Sequence, residues 1–168
     1  LLADQSSVIE RLDVAPVWSG HPVGFALLTH GNQQLVAFYD ADRRMTIGAR
    51  SLDQTDWQLV RLPSQLGWDS HNYVTMEVDS AGQIHVSGNM HCRPLVYFRT
   101  ERAGDITSLR QVPAMVGRNE TRCTYPRFLR GSRGELIFTY RDGRSGNGDQ
   151  YFNVYDVQTK TWRRLMES

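Results

Sequence analysis

The sequence predicts an all-β protein of the β-propeller class. A strand–turn–strand pattern occurs three times, and its second strands begin at Leu35, Ile84 and Leu136, which lie 49 and 52 residues apart. Turn-forming Gly, Asn and Asp separate the apolar runs, and no segment sustains a helical period. Four short strands in about fifty residues are typical of one propeller blade, and this regular spacing favours a propeller over a β-sandwich of twelve strands.

The elements follow in the same order in each repeat. The first two strands are predicted within residues 25–39, 74–87 and 128–140, the third within 45–50, 95–99 and 151–155, and the fourth within 57–62, 109–112 and 162–165. These strands give one partial propeller domain over residues 1–168, with blades at approximately 21–63, 68–113 and 121–165. Because propellers usually close with four to eight blades, we expect the remaining blades in the same longer chain or in an associated one.

Composition and charge exclude several function classes. Hydrophobic residues make up 40% and charged residues 22% of the chain, and the net charge is +1, so neither nucleic acid nor membrane is an expected partner. Of the 19 basic residues, all but Lys160 are arginine, which suits bidentate binding of carboxylate or sulfate but also follows from GC-rich codons. Cys92 and Cys123 form no CxxC motif, and we expect them to be free, with pairing or a shared metal left open.

Candidate functional residues lie at the ends of the two inner strands. In a blade, the residues just before the first strand and just after the second meet at one face. These positions hold His71 and His91 in the second repeat, and Tyr125 and Arg141 in the third. Two neighbouring blades therefore bring two histidines, a tyrosine and an arginine to one rim.

Further residues beside these four are predicted to contact a ligand: Asn72, Asn89, Arg127 and Tyr140. The first repeat offers His21 and Asp40 at the matching places. Structural roles remain open for each of these side chains. A strand-end histidine commonly serves as a hydrogen-bonded structural residue, and His85 and the turn beginning at Asp79 are predicted to be structural.

The four rim residues suit β-elimination of a uronate within a polysaccharide. A guanidinium can neutralise the uronate carboxylate, which acidifies the neighbouring C5 proton. An imidazole or phenolate can remove that proton, and a phenol or imidazolium can protonate the departing glycosidic oxygen.

These motifs resemble the BNR-4 repeat family over residues 20–165. The resemblance rests on residues 69–72, 82–86, 88–91, 124–128, 138–143, 145–148, 152–153 and 161–162. That family includes seven-bladed propeller lyases that act on ulvan, a sulfated polymer of rhamnose and uronate.

The resemblance implies roles for the matching residues. His71 corresponds to the base, Tyr125 to the acid, His91 to a second histidine and Arg141 to the carboxylate neutraliser, although His71 and Tyr125 can exchange roles. It implies a secreted or periplasmic enzyme acting on an anionic polysaccharide, although no signal peptide opens this sequence. It implies no cofactor for catalysis and is compatible with a structural divalent metal.

Two functions of other classes remain open from the sequence. One is a propeller that binds anionic glycan without cleaving it. The other is a sialidase-like hydrolase, which needs an arginine triad and a Tyr–Glu nucleophile pair, for which Glu120 is the candidate acid.

Overall fold

A computed structural model describes residue 8 and residues 10–166. The first sheet contains β1 (Ala26–His30), β2 (Gln33–Tyr39), β3 (Arg44–Ser51) and β4 (Gln58–Gln65), antiparallel and in chain order. The two inner strands of this sheet, β2 and β3, are each buried at five successive positions, as expected for strands covered on both faces.

The second sheet begins after a short 3-10 turn, Ser70–Asn72. Next come β5 (Val74–Val78) and β6 (Ile84–Gly88); a short strand, β7 (His91–Arg93), leaves the sheet, and β8 (Tyr97–Thr100) returns to it. After a second 3-10 turn, Ile106–Ser108, β9 (Leu109–Gln111) completes the sheet in the order β5-β6-β8-β9.

The third sheet contains β10 (Cys123–Arg130), β11 (Leu136–Arg144), β12 (Asn147–Asp156) and β13 (Thr161–Arg164). Its order is β13-β12-β11-β10-β7, so the second repeat contributes a fifth strand to the third sheet. The prediction of an all-β fold with four-stranded antiparallel units is confirmed. The fifth strand was not predicted, because three residues between two loops carry no strand pattern of their own.

Two apolar cores lie between neighbouring sheets. One joins the first and second sheets around Leu35, Ile47 and Ile84, and the other joins the second and third around Tyr97 and Phe138. The packing of sheet on sheet follows from apolar residues on both faces of the inner strands, and it fixes where the strand ends of the second and third sheets meet.

The hairpin at the start of β6 is held by Asp79. Its Oδ1 accepts hydrogen bonds from the backbone N–H groups of Ala81 and Gln83, both at 2.9 Å. Its Oδ2 lies 3.1 Å from Nε2 of the fully buried His85, whose Nδ1 lies 2.7 Å from the Tyr97 hydroxyl. Asp79 and His85 therefore have the structural roles that the sequence predicts.

The first repeat does not deliver Asp40 to the rim. Asp40 is buried in the β2–β3 turn, where Oδ1 accepts from the backbone N–H of Asp42 and Arg44 and Oδ2 pairs with Arg61 Nε at 2.6 Å. The expectation that Asp40 contributes to the rim is therefore wrong, because a turn-capping carboxylate is committed to its own backbone.

Within residues 8 and 10–166, no helix is long and apolar enough to cross a membrane.

Candidate active site

The two predicted histidines stack on each other. His71 belongs to the 3-10 turn that precedes β5, and His91 is the first residue of β7. Their ring centroids are 4.1 Å apart at an interplanar angle of 28°. Twenty residues separate them in sequence, so the hairpin of β5 and β6 is what returns the chain to the same place.

Asp69 bridges the two imidazoles. Its Oδ1 accepts from the backbone N–H of His71 at 2.9 Å and lies 2.6 Å from Nδ1 of the same residue. Its Oδ2 is hydrogen-bonded to Nδ1 of His91. One carboxylate thus begins the turn that carries His71 and holds both rings.

The protonation of Asp69 determines the tautomers of the histidines. Burial opposes ionisation, but hydrogen bonds from His91 and from the backbone and ring of His71 together hold the pKa of Asp69 well below its usual value. An ionised carboxylate only accepts hydrogen bonds, so both Nδ1 atoms carry protons. Each neutral ring then presents a bare Nε2, which can accept a proton from a substrate.

Tyr125 is directed out of its sheet by a β-bulge. The pairing of β10 with β11 shifts register between Thr124 and Arg127, and Tyr125 takes a φ of 59°. Bulges commonly re-aim side chains, and this left-handed conformation costs a non-glycine residue on the order of 1 kcal/mol. The Tyr125 ring is 43% exposed, and its centroid lies 5.6 Å from that of His71.

Arg141 completes the group from β11, directly opposite Thr124. Its guanidinium carbon lies 5.1 Å from the centroid of the Tyr125 ring, and Nη2 lies 3.8 Å from Sγ of Cys92. Among the described residues Arg141 has no ion-pair partner, and its buried Nε has no hydrogen-bond acceptor. A buried donor without an acceptor is rare and points to an anion that binds there.

We call this group the histidine rim: Asp69, His71, His91, Tyr125 and Arg141. It contains two proton acceptors held by one carboxylate, one phenol and one unpaired cation. All four residues predicted as catalytic from the sequence come together in it. The sequence does not predict a role for Asp69, since an Asp two residues before a His marks a turn as readily as a hydrogen-bonded pair.

Two of the predicted ligand-binding residues lie on or beside this surface. Arg127 is exposed on β10 and lies near the partly buried Tyr73. Burial raises the pKa of Tyr73, the charge of Arg127 lowers it, and the charge of Tyr125 raises it. Asn89 is at the end of β6 with a φ of 58°, and its amide donates to Ser64 Oγ and to the Gln65 carbonyl, both at 2.9 Å.

Asn72 is buried beneath the rim. Its carbonyl accepts a hydrogen bond from the Tyr39 hydroxyl at 2.6 Å, which ties the 3-10 turn to the first sheet. Its side-chain Oδ1 is buried without a partner. Asn72 therefore holds the backbone that carries His71.

The prediction that Tyr140 binds substrate is wrong in this structure. Tyr140 is fully buried among Phe138 and Tyr151, and its hydroxyl accepts a hydrogen bond from Arg164 Nη1 at 3.2 Å. Burial raises its pKa to about 12 against the lowering effect of Arg164. Successive residues of a strand face opposite sides, so the neighbour of the rim residue Arg141 faces the core.

Both cysteines are free. Cys123 is fully buried, and burial raises its pKa far above the usual value. Cys92 is partly buried, with a φ of 52°, and its backbone N–H donates to Thr124 Oγ1 at 2.8 Å. This bond helps to hold β7 against β10.

Asp69, His71 and His91 could also hold a metal ion, because one ligand atom from each lies within 4.8 Å of the others. A two-histidine, one-carboxylate set is suited to a divalent transition metal.

The fold and the rim together define a class of protein: a propeller-type stack of sheets with acid–base groups where two blades meet. The chain belongs to the BNR repeat-containing family (BNR_4), whose profile matches residues 33–168.

Curated relatives with significant local similarity are ulvan lyases. The short isoform from Alteromonas sp. (strain LOR) is 41% identical over 47 residues, which are 28% of this chain and 9% of that lyase. The long isoform from Glaciecola sp. (strain KUL10) is 40% identical over 47 residues, 28% of this chain and 5% of that lyase. The aligned segment is thus a small part of each relative.

Similar solved structures are also polysaccharide lyases. The lyase Uly1 matches with a TM-score of 0.75 and 18% identity over 95% of this chain and 45% of its own. A PL25 ulvan lyase matches with a TM-score of 0.65 and 15% identity over 92% of this chain and 39% of its own, and it has also been solved bound to -[GlcA(1-4)Rha3S]-. At this identity the likeness shows the fold, which is that of part of a β-propeller. The chain spans less than half the length of each solved lyase.

Proposed function

We propose that this chain carries the catalytic rim of a lyase that cleaves a uronate-containing polysaccharide by β-elimination. The observation that carries the proposal is the convergence of two Asp69-bridged histidines, an exposed phenol and an unpaired guanidinium. The lyases among its relatives support the reaction class.

Arg141 binds the uronate carboxylate in this proposal. The buried Nε and the terminal nitrogens of one guanidinium offer two parallel N–H donors, which match the two oxygens of a carboxylate. Neutralising the carboxylate lowers the free energy of the enolate-like intermediate that forms when C5 loses its proton.

His71 removes the C5 proton through Nε2. Asp69 holds its Nδ1–H and so fixes both the tautomer and the ring orientation, and it stabilises the imidazolium that forms. His91 stacks against His71. Asp69 also holds Nδ1 of His91 and leaves its Nε2 without a proton, so that His91 positions the uronate.

Tyr125 donates its hydroxyl proton to the glycosidic oxygen as the bond from C4 to that oxygen breaks. The electron pair of the C5–H bond becomes the new C4–C5 double bond, so the products are a 4,5-unsaturated uronate and a free hydroxyl. His71 and Tyr125 can exchange roles, with the phenolate as base and the imidazolium as acid.

No step in this proposal needs a cofactor. If the Asp69, His71 and His91 set instead held a catalytic metal, removing divalent ions would abolish the reaction. We expect the rate to be the same after dialysis against a chelator.

The position of Glu120 favours a lyase over a sialidase-like hydrolase. Its buried carboxylate accepts backbone hydrogen bonds from Val116 at 2.7 Å, Met115 at 3.1 Å and Gly117 at 3.2 Å. These bonds hold a loop and leave the carboxylate no role as the partner of a tyrosine nucleophile.

The substrate we propose is an ulvan-like anionic polysaccharide, as the names of the relatives suggest. A polysaccharide is too large to enter the cytoplasm intact, so we propose a secreted or periplasmic enzyme.

The test is the ultraviolet absorbance of the chain mixed with ulvan, because elimination creates a conjugated double bond and hydrolysis does not. We expect a rise that His71→Ala abolishes and that His30→Ala leaves unchanged, since His30 is exposed at the end of β1. Saturable binding of ulvan by the folded chain with no rise in absorbance would overturn the lyase proposal in favour of a glycan-binding module.

A further inference from the structure

A polar groove adjoins the histidine rim. It encloses about 660 Å³. The residues that line it are Gln65, Gly67, Trp68, Asp69, Asn72, Asn89, His91, Arg93, Pro94, Leu95, Val96 and Gln111. Two of these wall residues, Asp69 and His91, belong to the rim, so a chain bound at the rim extends into this groove.

Trp68 is an unusually open aromatic residue on the wall of this groove. It is 72% exposed, although large aromatic side chains are normally mostly buried. The edge-to-face contact with Trp18, with ring centroids 4.9 Å apart, braces the indole. A braced indole loses little conformational entropy when a ligand packs on it, which suits stacking against the C–H face of a pyranose ring.

Arg93 provides the charge in the same groove. It is exposed at the end of β7, two residues after His91, and no carboxylate pairs with it among residues 8 and 10–166. Other arginines of the chain do have carboxylate partners, as Arg61 has in Asp40 and Arg102 has in Asp105. An unpaired guanidinium and an open indole that line one groove suit the binding of an anionic sugar.

We infer that Trp68 and Arg93 form a subsite for an anionic sugar residue next to the uronate at the rim. The inference rests on the proposed function, which places the uronate of the polysaccharide at the rim. Trp68 stacks on the pyranose ring, and Arg93 pairs with its sulfate or carboxylate group. Gln111 also lines the groove and supplies an amide that can bind a hydroxyl. This subsite adds selectivity for charge at a sugar that does not react.

The test is a calorimetric titration with an ulvan oligosaccharide in the His71→Ala background, so that binding is measured without turnover. We expect Trp68→Ala to weaken binding about tenfold and Trp68→Phe to restore most of it, because the ring is retained. Arg93→Gln should weaken binding about tenfold and reduce its dependence on salt.

A second Trp–Arg pair provides the matched control. Arg50 lies over the ring of Trp57 at 5.5 Å on the first sheet, and neither residue lines the groove. Trp57→Ala and Arg50→Gln should bind the oligosaccharide as the parent does. Circular dichroism of every variant checks that it is folded.

Chemically altered oligosaccharides identify the anion. If Arg93 binds sulfate, desulfation should weaken binding by the His71→Ala parent and leave Arg93→Gln unchanged. If Arg93 binds carboxylate, reduction of the carboxyl groups should weaken the parent more than Arg93→Gln, because both proteins lose the contact with Arg141 and only the parent also loses the contact with Arg93. Unchanged affinity in both folded Trp68→Ala and Arg93→Gln would overturn the subsite even where His71-dependent elimination is observed. If these variants bind more weakly but the chain with His71 intact shows no elimination, the subsite is retained and the lyase proposal is rejected.

Discussion

Oδ1 of Asp69 accepts a hydrogen bond from Nδ1 of His71 at 2.6 Å, while the other oxygen of the same carboxylate holds His91. Replacing Asp69 with Asn keeps the shape of the side chain but replaces one carboxylate oxygen with an NH2 group, which donates hydrogen bonds and cannot accept them. One imidazole must then carry its proton on Nε2, where it can no longer accept one from substrate. We expect Asp69→Asn to lower the elimination rate on the order of 10²-fold.

Asp105 offers a control for the capping role of Asp69. It begins the other 3-10 turn, and its side chain accepts from the backbone N–H of Thr107. Asp105→Asn should change the capping of its 3-10 turn as much as Asp69→Asn does, but it should not lower the elimination rate. Imidazole ¹⁵N spectra measure the tautomers directly. We expect Nδ1–H on both rim histidines of the parent and a changed tautomer on one of them in Asp69→Asn. Identical spectra for the two proteins would contradict the role of Asp69 in positioning the imidazoles.

Arg141→Lys retains the positive charge but not the two parallel donors of the guanidinium. We expect kcat/KM to fall about 10²- to 10³-fold, mostly in kcat if the clamp strengthens as the intermediate forms. The comparison is Arg144→Lys, an exposed residue at the end of the same strand. Full activity of Arg141→Lys would show that charge alone suffices and would reject the bidentate clamp.

Tyr125→Phe removes the hydroxyl and keeps the ring that packs beside His71 and Arg141. We expect the rate to fall about 10²-fold or more, with the thermal unfolding midpoint unchanged, because the exposed hydroxyl has little structural role. Absorbance and calorimetry measure the two effects separately. A normal rate in this variant would exclude Tyr125 as either acid or base.

Tyr140→Phe tests whether Tyr140 is a core residue. It removes the hydroxyl that accepts from Arg164, so we expect the free energy of unfolding to fall by about 1 kcal/mol. Because Tyr140 is fully buried, we expect no change in affinity for ulvan oligosaccharide. Weaker binding by a variant of normal stability would instead return Tyr140 to the ligand-binding surface.

The buried His85 makes stability depend on pH. Burial lowers its pKa below the usual value of about 6.5, although Asp79 acts in the opposite direction. As the pH falls through about 6.5 the unfolded chain therefore binds a proton that the folded chain does not, and the folded state loses stability. Ionised Asp79, whose pKa is lowered, keeps its contribution until the pH falls well below this window.

His85→Gln removes this titration. Between about pH 7.5 and about pH 5.5 we expect the parent to lose on the order of 1 kcal/mol more stability than the variant, measured by urea unfolding. All other residues are the same in the two proteins, so their contributions cancel in the difference. Parallel stability curves for the two proteins would show that the protonation of His85 does not change between the folded and unfolded states.

The repeat, the all-β fold and the four residues that meet at the rim, His71, His91, Tyr125 and Arg141, could be predicted from the sequence alone. This is because strand alternation and turn residues are local signals, and because blade geometry places residues before the first strand and after the second at one face. The error at Tyr140 has a local cause as well: the sequence placed a whole segment at the rim, whereas a strand sends Tyr140 and Arg141 to opposite sides.

The way in which these residues meet depends on the three-dimensional fold. β7 leaves the second sheet to pair with β10, which puts His91 opposite Thr124, and the bulge at Tyr125 turns its ring toward His71. Asp69 becomes a shared partner only after the β5–β6 hairpin brings His91 back beside His71. These contacts depend on pairing between residues far apart in sequence and on a left-handed backbone at a tyrosine, and neither is encoded in a local pattern.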